Sequence, residues 1–327
     1  MRFFERGWLS CNQLLLDDGE EAVVIDSGHL HHAAQTLSLL QRAIGPRALS
    51  RLLNTHLHSD HCGGNASLQQ AWPGLVVGVP SGSFNAALGW DEAALSYAPT
   101  GQRCARFVPD EALHPGSELQ LAGRRWQVHA APGHDPLSLI FFEPESAVLV
   151  SADALWAQGF GVVFPELEGE QAFVEVAATL DLIERLQPRV VVPGHGPLVL
   201  DLASALRQAR ERLAAFVACP ATHRRHAMQV LLKFHLLEVQ REPIQELRRW
   251  ARGTPLLRHL LLGGGADFPS AWQAASQSAS IHGREGDHDG VVGGTQDGSL
   301  DAALEEALRA LQRKAAIQRD GDWVANA

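Results

Sequence analysis

The segment "NTHLHSDHCGG", residues 54–64, sets three imidazoles and a carboxylate within six positions: His56, His58, Asp60 and His61. Residues two apart in an extended stretch project from the same side, so His56 and His58 can share one ion. Asp60 and His61 fall where the chain is expected to turn into a helix, and they point another way. The spacing therefore suits two neighbouring cations better than one crowded one. Imidazole with carboxylate, and no thiolate, fits a pair of divalent ions of the zinc type, with iron or manganese as alternatives. Gly63 and Gly64 are expected to let the backbone pass close to this site. More ligands follow, each after an apolar run and beside a small residue: His134 in "APGHD", Asp153 in "SADAL" and His195 in "VPGHG".

Such residues need a scaffold that delivers several loops to one edge. "EAVVID" (21–26), "LSRLLN" (49–54), "WQVHAAPGH" (126–134), "AVLVSAD" (147–153) and "RVVVPGHG" (189–196) read as strands ending in small residues and then a polar group. Helical patterns lie between them at 32–44, 64–72 and 170–187. The alternation predicts an α/β layered domain over residues 1–204. Beyond it, residues 205–327 read as a helical, winged-helix-like module. A helix is expected at 226–241, another between Pro243 and Gly253, and a third capped by Thr254 with Pro255 in its first turn. Residues 264–299, rich in Gly, Ser, Asp and Gln, read as a flexible insertion. Leu304, Leu308 and Leu311 mark a last helix, and "IQRDGDWV" (317–324) a hairpin turning at Asp320-Gly321.

The pattern HxHxDH, with a later His, Asp and His in order, resembles the metallo-β-lactamase superfamily of metal-dependent hydrolases. The resemblance covers about residues 1–200. It implies an αββα sandwich with two metal ions at one sheet edge. It also implies that His56, His58 and His134 hold the first ion, Asp60, His61 and His195 the second, and that Asp153 bridges both. Asp26, in "VIDSG", matches a family aspartate that supports the site by hydrogen bonding. His58, where flavin-linked di-iron relatives resemble HxExDH, favours hydrolysis over redox chemistry. Two cations lower the pKa of a bridging water, and the hydroxide so formed attacks the substrate. Asp60 is expected to orient that nucleophile and take its proton.

Within the superfamily, THxHxDHxGG and the PGH segments resemble hydroxyacylglutathione hydrolase, which makes a thioester or related carboxylic ester the expected substrate. The alternative is a phosphodiesterase resembling the lactamase-like endoribonucleases, with RNA held by the C-terminal module. Charge bears on both. The chain carries a net charge of -10, yet residues 205–262 hold 11 Lys/Arg against 4 Asp/Glu. That basic band could attract an anionic small molecule or a phosphate backbone. No GxSxG elbow supports a serine triad, and "GGG" at 263–265 has no following Lys-Ser or Lys-Thr to make a phosphate loop. The sequence "MRFFERGWLSCNQ" lacks the apolar stretch of a secretory signal, and no spanning helix is expected, so a cytoplasmic location follows. Four scattered cysteines read as free thiols. His29, His31 and His32 read as surface or supporting residues, and His235 as a core or interface histidine. Tyr97 is a candidate pocket-lining residue. "GFGVVFPELEG" (159–169) is expected either to wall the substrate or to cover the site.

Overall fold

In the computed structural model, which describes residues 1–263 and 294–327, each apolar run named above forms a strand. The chain divides into two compact units. The first takes residues 1–91, 103–166 and 170–219; the second takes 92–102, 167–169 and 220–327. The sequence-based boundary at 204 falls inside the helix Leu202–Ala218, which belongs whole to the first unit.

The first unit holds two sheets. One is ordered β1 (Arg2–Phe4), β2 (Gln13–Asp17), β3 (Ala22–Ile25), β4 (Arg51–Leu53), β5 (Val76–Pro80) and β6 (Glu111–Leu113). The other contains β7 (Glu118–Leu121), β8 (Arg124–Ala130), β9 (Leu139–Glu143), β10 (Val148–Ala152) and β11 (Val190–Pro193), with β11 and β7 at its edges. Between them lies a core to which both contribute: Leu14, Leu16, Val23, Ile25 and Leu53 meet Trp126, Val128, Phe141, Val150 and Val192. Side chains alternate across a strand, so Leu15, lying between two inward leucines, points to the opposite face. It too is fully buried, which shows that the outer face is covered.

Helices supply that cover. The parallel pairs β3–β4 and β4–β5 need crossovers, and the helices Ala33–Ile44 and Asn65–Ala71 lie in those connections, burying Leu40, Ile44 and Leu68. On the second sheet, Ile140, Phe142, Leu149 and Val191 pack with Val176, Leu180 and Ile183 of the helix Ala172–Leu186. Leu206, Ala209 and Leu213 of Leu202–Ala218 join the same cluster. The layers are therefore helix, sheet, sheet, helix. Because β3–β4 and β10–β11 run parallel, each pair brings its two carboxyl ends to one edge, where an α/β fold assembles its site.

The second unit has its own small antiparallel sheet, ordered β12 (Arg241–Pro243), β14 (Trp323–Asn326) and β13 (Ile317–Asp320). Its long helix runs Pro220–Val239, starting six residues before the expected 226. Proline suits a first turn, and His223 and Ala227 extend the buried stripe toward the N-terminus. The helices Ile244–Gly253 and Pro255–Leu261 follow where expected. Thr254 does not cap the second of them with its side chain; its hydroxyl donates back to the Trp250 carbonyl at 2.9 Å. The hairpin turns one residue later than expected. Asp320 pairs with Trp323, which leaves Gly321-Asp322 as the two-residue loop, and Gly321 takes φ 56° at its first position, the place a primed turn reserves for glycine. His235 is buried, stacked on Trp250 at 3.9 Å and 2.7 Å from Glu242. Tyr97 is buried in the short helix Tyr97–Thr100. Of the insertion expected at 264–299, residues 264–293 lie outside the described residues, and 294–299 open the helix Gly294–Arg313. Among the described residues no helix is long and apolar enough to cross a membrane.

Candidate metal centre

Seven side chains from five chain segments meet at the carboxyl-end edge of the first unit, all buried: His56, His58, Asp60, His61, His134, Asp153 and His195. Four segments follow strands directly or after a short turn. The loop after β4 carries His56 and His58, and the short helix Ser59–Cys62 then turns Asp60 and His61 inward. His134 follows β8, Asp153 follows β10, and His195 follows β11.

Among the described residues, four sets of three such groups hold their ligand atoms within 4.8 Å of one another. One is His56, His58 and His134; another is Asp60, His61 and His195; a third, His56, His61 and Asp153, connects them. The Asp153 carboxylate divides its oxygens: Oδ1 lies 3.4 Å from His61 Nε2 and 3.9 Å from His195 Nε2, Oδ2 3.3 Å from His134 Nε2. Asp60 Oδ2 lies 3.0 Å from His195 Nε2. The fourth set, Cys11 with Asp26 and His61, is of another kind. Burial pushes the Cys11 thiol up to about 11, which keeps it protonated, and Asp26 is committed elsewhere.

Hydrogen bonds behind the histidines fix which ring nitrogen faces the centre. Asp26 Oδ2 lies 2.8 Å from His61 Nδ1, and the same carboxylate accepts from the Thr55 amide at 2.9 Å and the Thr55 hydroxyl at 2.8 Å. A carboxylate only accepts, so Nδ1 carries a proton and Nε2 is the atom left to offer a lone pair to an ion. The Val162 carbonyl does the same for His134, 2.6 Å from its Nδ1. Burial opposes charge on His61, but with no ion beside it the surrounding Asp153, Asp26 and Asp60 carboxylates raise its pKa well above the usual histidine range. His56 Nε2 and His61 Nε2 are buried with no hydrogen-bond partner. Unpaired polar atoms in a dry interior are costly, and a set of converging lone pairs and carboxylates fits bound cations.

The electrostatics agree with that fit. Burial, reinforced by neighbouring imidazoles, holds His56 far below the usual histidine range and His58 at about 3, so both are neutral donors of electron pairs. Burial opposes charge on Asp60, but His61, positively charged while no ion is bound, and His195 beside it hold its carboxyl at about 2. Burial likewise opposes charge on Asp153, and His61, His195 and His134 keep it well below the ordinary range.

The backbone is bent to reach this geometry. Asp26 and Ala152, at the ends of β3 and β10, take φ of 59° and 46°, the left-handed region that costs a non-glycine residue energy. Gly194 is required by close approach, since a Cβ there would stand 2.1 Å from Asp153 Oδ1. Gly63 and Gly64 serve differently from expectation. A Cβ on them would strike the backbone of Leu30 and Ser27, at 2.5 and 2.6 Å, so they seat the helix Ser59–Cys62 on the neighbouring loop and do not face the centre.

Trp8, Trp156 and Asp135 carry no sequence signal of their own. Trp8, 59% exposed, stacks on His195 at 5.3 Å, and Trp156 meets the same ring edge-on at 5.4 Å. Trp156 also donates its indole N–H to Asp153 Oδ1 at 3.2 Å. Asp135 Oδ2 lies 3.9 Å from His58 Nε2. Phe164, within the 159–169 segment, lies edge-on to His58 and His134 at 5.2 and 5.6 Å, and Gly161 of that segment packs on His134. His29, expected at the surface or in support, is fully buried, its amide bonded to the Ser10 hydroxyl; His32 contacts the same hydroxyl, and His31 is exposed.

Comparison with known proteins adds an independent line. The family model described as the metallo-beta-lactamase superfamily matches residues 6–195, a span that ends on His195 and contains all seven side chains. Among curated proteins, the chain is similar to hydroxyacylglutathione hydrolases. It is 30% identical over 151 residues to that of Stenotrophomonas maltophilia (strain R551-3), covering 46% of this chain and 48% of the relative. It is 31% identical over 172 residues to that of Dechloromonas aromatica (strain RCB), covering 53% and 52%. The chain thus spans about half the length of the curated relatives it matches. Among solved structures it resembles TTHA1623 in a di-iron-bound form, with 30% identity, a TM-score of 0.51, and 64% of this chain against 98% of that one. The BLEG-1 B3 metallo-beta-lactamase shares the fold, with a TM-score of 0.53 at 24% identity over 64% of this chain and 97% of that one.

Proposed function

The chain belongs to the metallo-beta-lactamase superfamily, and from that membership we propose that it is a dinuclear metal-dependent hydrolase of a thioester or related carboxylic ester. The observation that carries the reading is the division of the Asp153 carboxylate between two clusters of lone pairs. His56, His58 and His134 would hold the first ion and Asp60, His61 and His195 the second, with Asp153 within reach of both. Imidazole and carboxylate ligands suit zinc, with iron the rival that the di-iron relative brings forward. Two such cations would supply Lewis acidity at the scissile carbonyl and make water nucleophilic at neutral pH.

The chain's own groups do the rest. Asp60, whose Oδ2 lies 3.0 Å from His195 Nε2, is placed to orient the attacking water and take up its proton. Asp26 and the Val162 carbonyl lock His61 and His134 in one tautomer each, so no proton stands between the ring and its ion. Trp8 and Trp156 enclose His195 with apolar surface and keep bulk water off that side. Support for a thioester comes from the curated relatives, which are named hydroxyacylglutathione hydrolases. The basic band at 205–262 gives weaker support for an anionic substrate, because several of its arginines are already paired: Arg210 with Asp181 and Glu184, Arg252 with Asp301, and Arg249 with Glu246.

The test is a substrate panel on metal-loaded chain: acylglutathione, acyl-CoA, lactone, β-lactam, bis-aryl phosphate and RNA. Acylglutathione or acyl-CoA cleavage that is lost in His58→Ala is the expected result. Cleavage of RNA alone would overturn the thioester reading.

A further inference from the structure

Cys62 immediately follows the ligand His61, and its sulfur lies 3.7 Å from that of Cys104. Cys62 is fully buried, whereas Cys104 is partly exposed on a segment whose neighbours Arg103 and Ala105 are exposed. Cys62 Sγ is also 3.4 Å from the Leu57 carbonyl and 3.3 Å from the His58 carbonyl, within the loop that carries the first two histidines. Its thiol proton thus ties the end of the ligand helix to the ligand loop.

We propose that Cys62 and Cys104 form a redox pair whose disulfide loosens the metal-ligand loop. The two sulfurs are in van der Waals contact and need approach by only roughly 1.7 Å to reach bonding distance. An oxidant such as hydrogen peroxide reaches Cys104 first, because that sulfur is the accessible one. The Cys104 sulfur attacks the peroxide, the O–O bond breaks, and a sulfenic acid and one water form. The Cys62 sulfur then attacks the Cys104 sulfur, forming the S–S bond as the S–O bond breaks; the departing hydroxide takes the Cys62 proton and leaves as a second water. Two thiols lose two electrons and two protons, and the peroxide accepts both pairs. The Leu57 and His58 carbonyls lose the thiol donor, and the Cys62 sulfur is drawn toward Cys104. His58 and His61 are therefore no longer held in register. The effect on metal rests on the ligand assignment above, while the cross-link itself does not.

The experiment treats the full, folded chain with hydrogen peroxide and reads two quantities. Non-reducing digestion and mass spectrometry report linkage; competition with a chromogenic chelator reports zinc affinity. The expected result is a Cys62–Cys104 peptide lighter by two hydrogens, reversed by dithiothreitol, with zinc affinity lowered by roughly 10-fold. Cys104→Ser, a change outside the metal centre, should form no such peptide and should keep its affinity under peroxide. Failure of the folded chain to form that peptide would overturn the proposal, as would a linked chain whose zinc affinity is unchanged or a C104S chain that loses affinity equally. A reduced chain that takes up no zinc would refute the metal reading instead, and mass would still report the cross-link.

Discussion

Asp26→Asn isolates the part of the centre that touches no ion. Asp26 sits at φ 59°, a region asparagine tolerates, so the substitution preserves the backbone and removes only charge and one acceptor. The wild-type carboxylate accepts from the Thr55 amide at 2.9 Å, the Thr55 hydroxyl at 2.8 Å and His61 Nδ1 at 2.8 Å. An asparagine has one acceptor oxygen, and the Thr55 amide, which has no other rotamer, retains it. The side-chain NH₂ then faces His61 Nδ1, and two donors cannot pair. His61 relieves the clash by moving its proton to Nε2, the atom that would offer its lone pair to the proposed second ion. Loss of such a supporting group lowers metal affinity by about 10–100-fold, which is roughly 1.4–2.8 kcal/mol. The metal-free chain loses a charge-assisted hydrogen bond as well, at a cost of about 1.5–3 kcal/mol. Zinc competition measures the first quantity, and urea unfolding in chelator measures the second. A D26N chain that binds two zinc ions as tightly as wild type would refute the claim that Asp26 sets the His61 tautomer.

Other perturbations probe separate links. Gly194→Ala puts a methyl group 2.1 Å from Asp153 Oδ1, so that carboxylate must move; overpacking of this kind costs about 1–3 kcal/mol in unfolding experiments, and metal analysis should show fewer than two ions retained. Trp156→Phe keeps the ring but deletes the indole donor to Asp153, and kcat should fall with KM for an acylglutathione nearly unchanged. Asp17 is bridged by both nitrogens of Arg47 at 2.7 Å, and that hydrogen bonding holds its carboxyl at about 2, below its ordinary value of 3.8. A depressed carboxylate contributes stability above its unfolded pKa and loses it as pH falls toward the folded value. The difference in urea midpoint between wild type and Asp17→Asn should therefore shrink from about pH 5 to about pH 3.

The centre was legible where the chemistry is local. His56, His58, Asp60 and His61 advertise themselves by spacing, and His134, Asp153 and His195 by following apolar strands with small neighbours. The strands were legible for the same reason, since burial on both faces leaves continuous apolar runs such as "AVVI" and "VVVP". What stayed hidden depends on contacts between distant segments. Trp8 reaches His195 across 187 positions of chain, and nothing near either residue announces the meeting. Gly63 and Gly64 are expected to let the backbone pass close to the site, yet their constraint is the backbone of residues 27–30, which only folding brings near. The hairpin shows the limit of local turn chemistry. Asp-Gly marks a turn, but the pairing of Asp320 with Trp323 decides which residues occupy it, and packing of Ile317 and Val324 sets that register. His29, at a helix start and without partners at metal spacing, reads as a surface or supporting residue, and nothing in its local sequence shows its burial beside Ser10.

Anomalous X-ray diffraction from crystals of the zinc-loaded chain tests the dinuclear reading most directly. Two peaks should appear about 3.5–4 Å apart, one among His56, His58 and His134 and one among Asp60, His61 and His195, with Asp153 between them. A single peak, or none within reach of those seven side chains in a crystal grown with excess zinc, would contradict it.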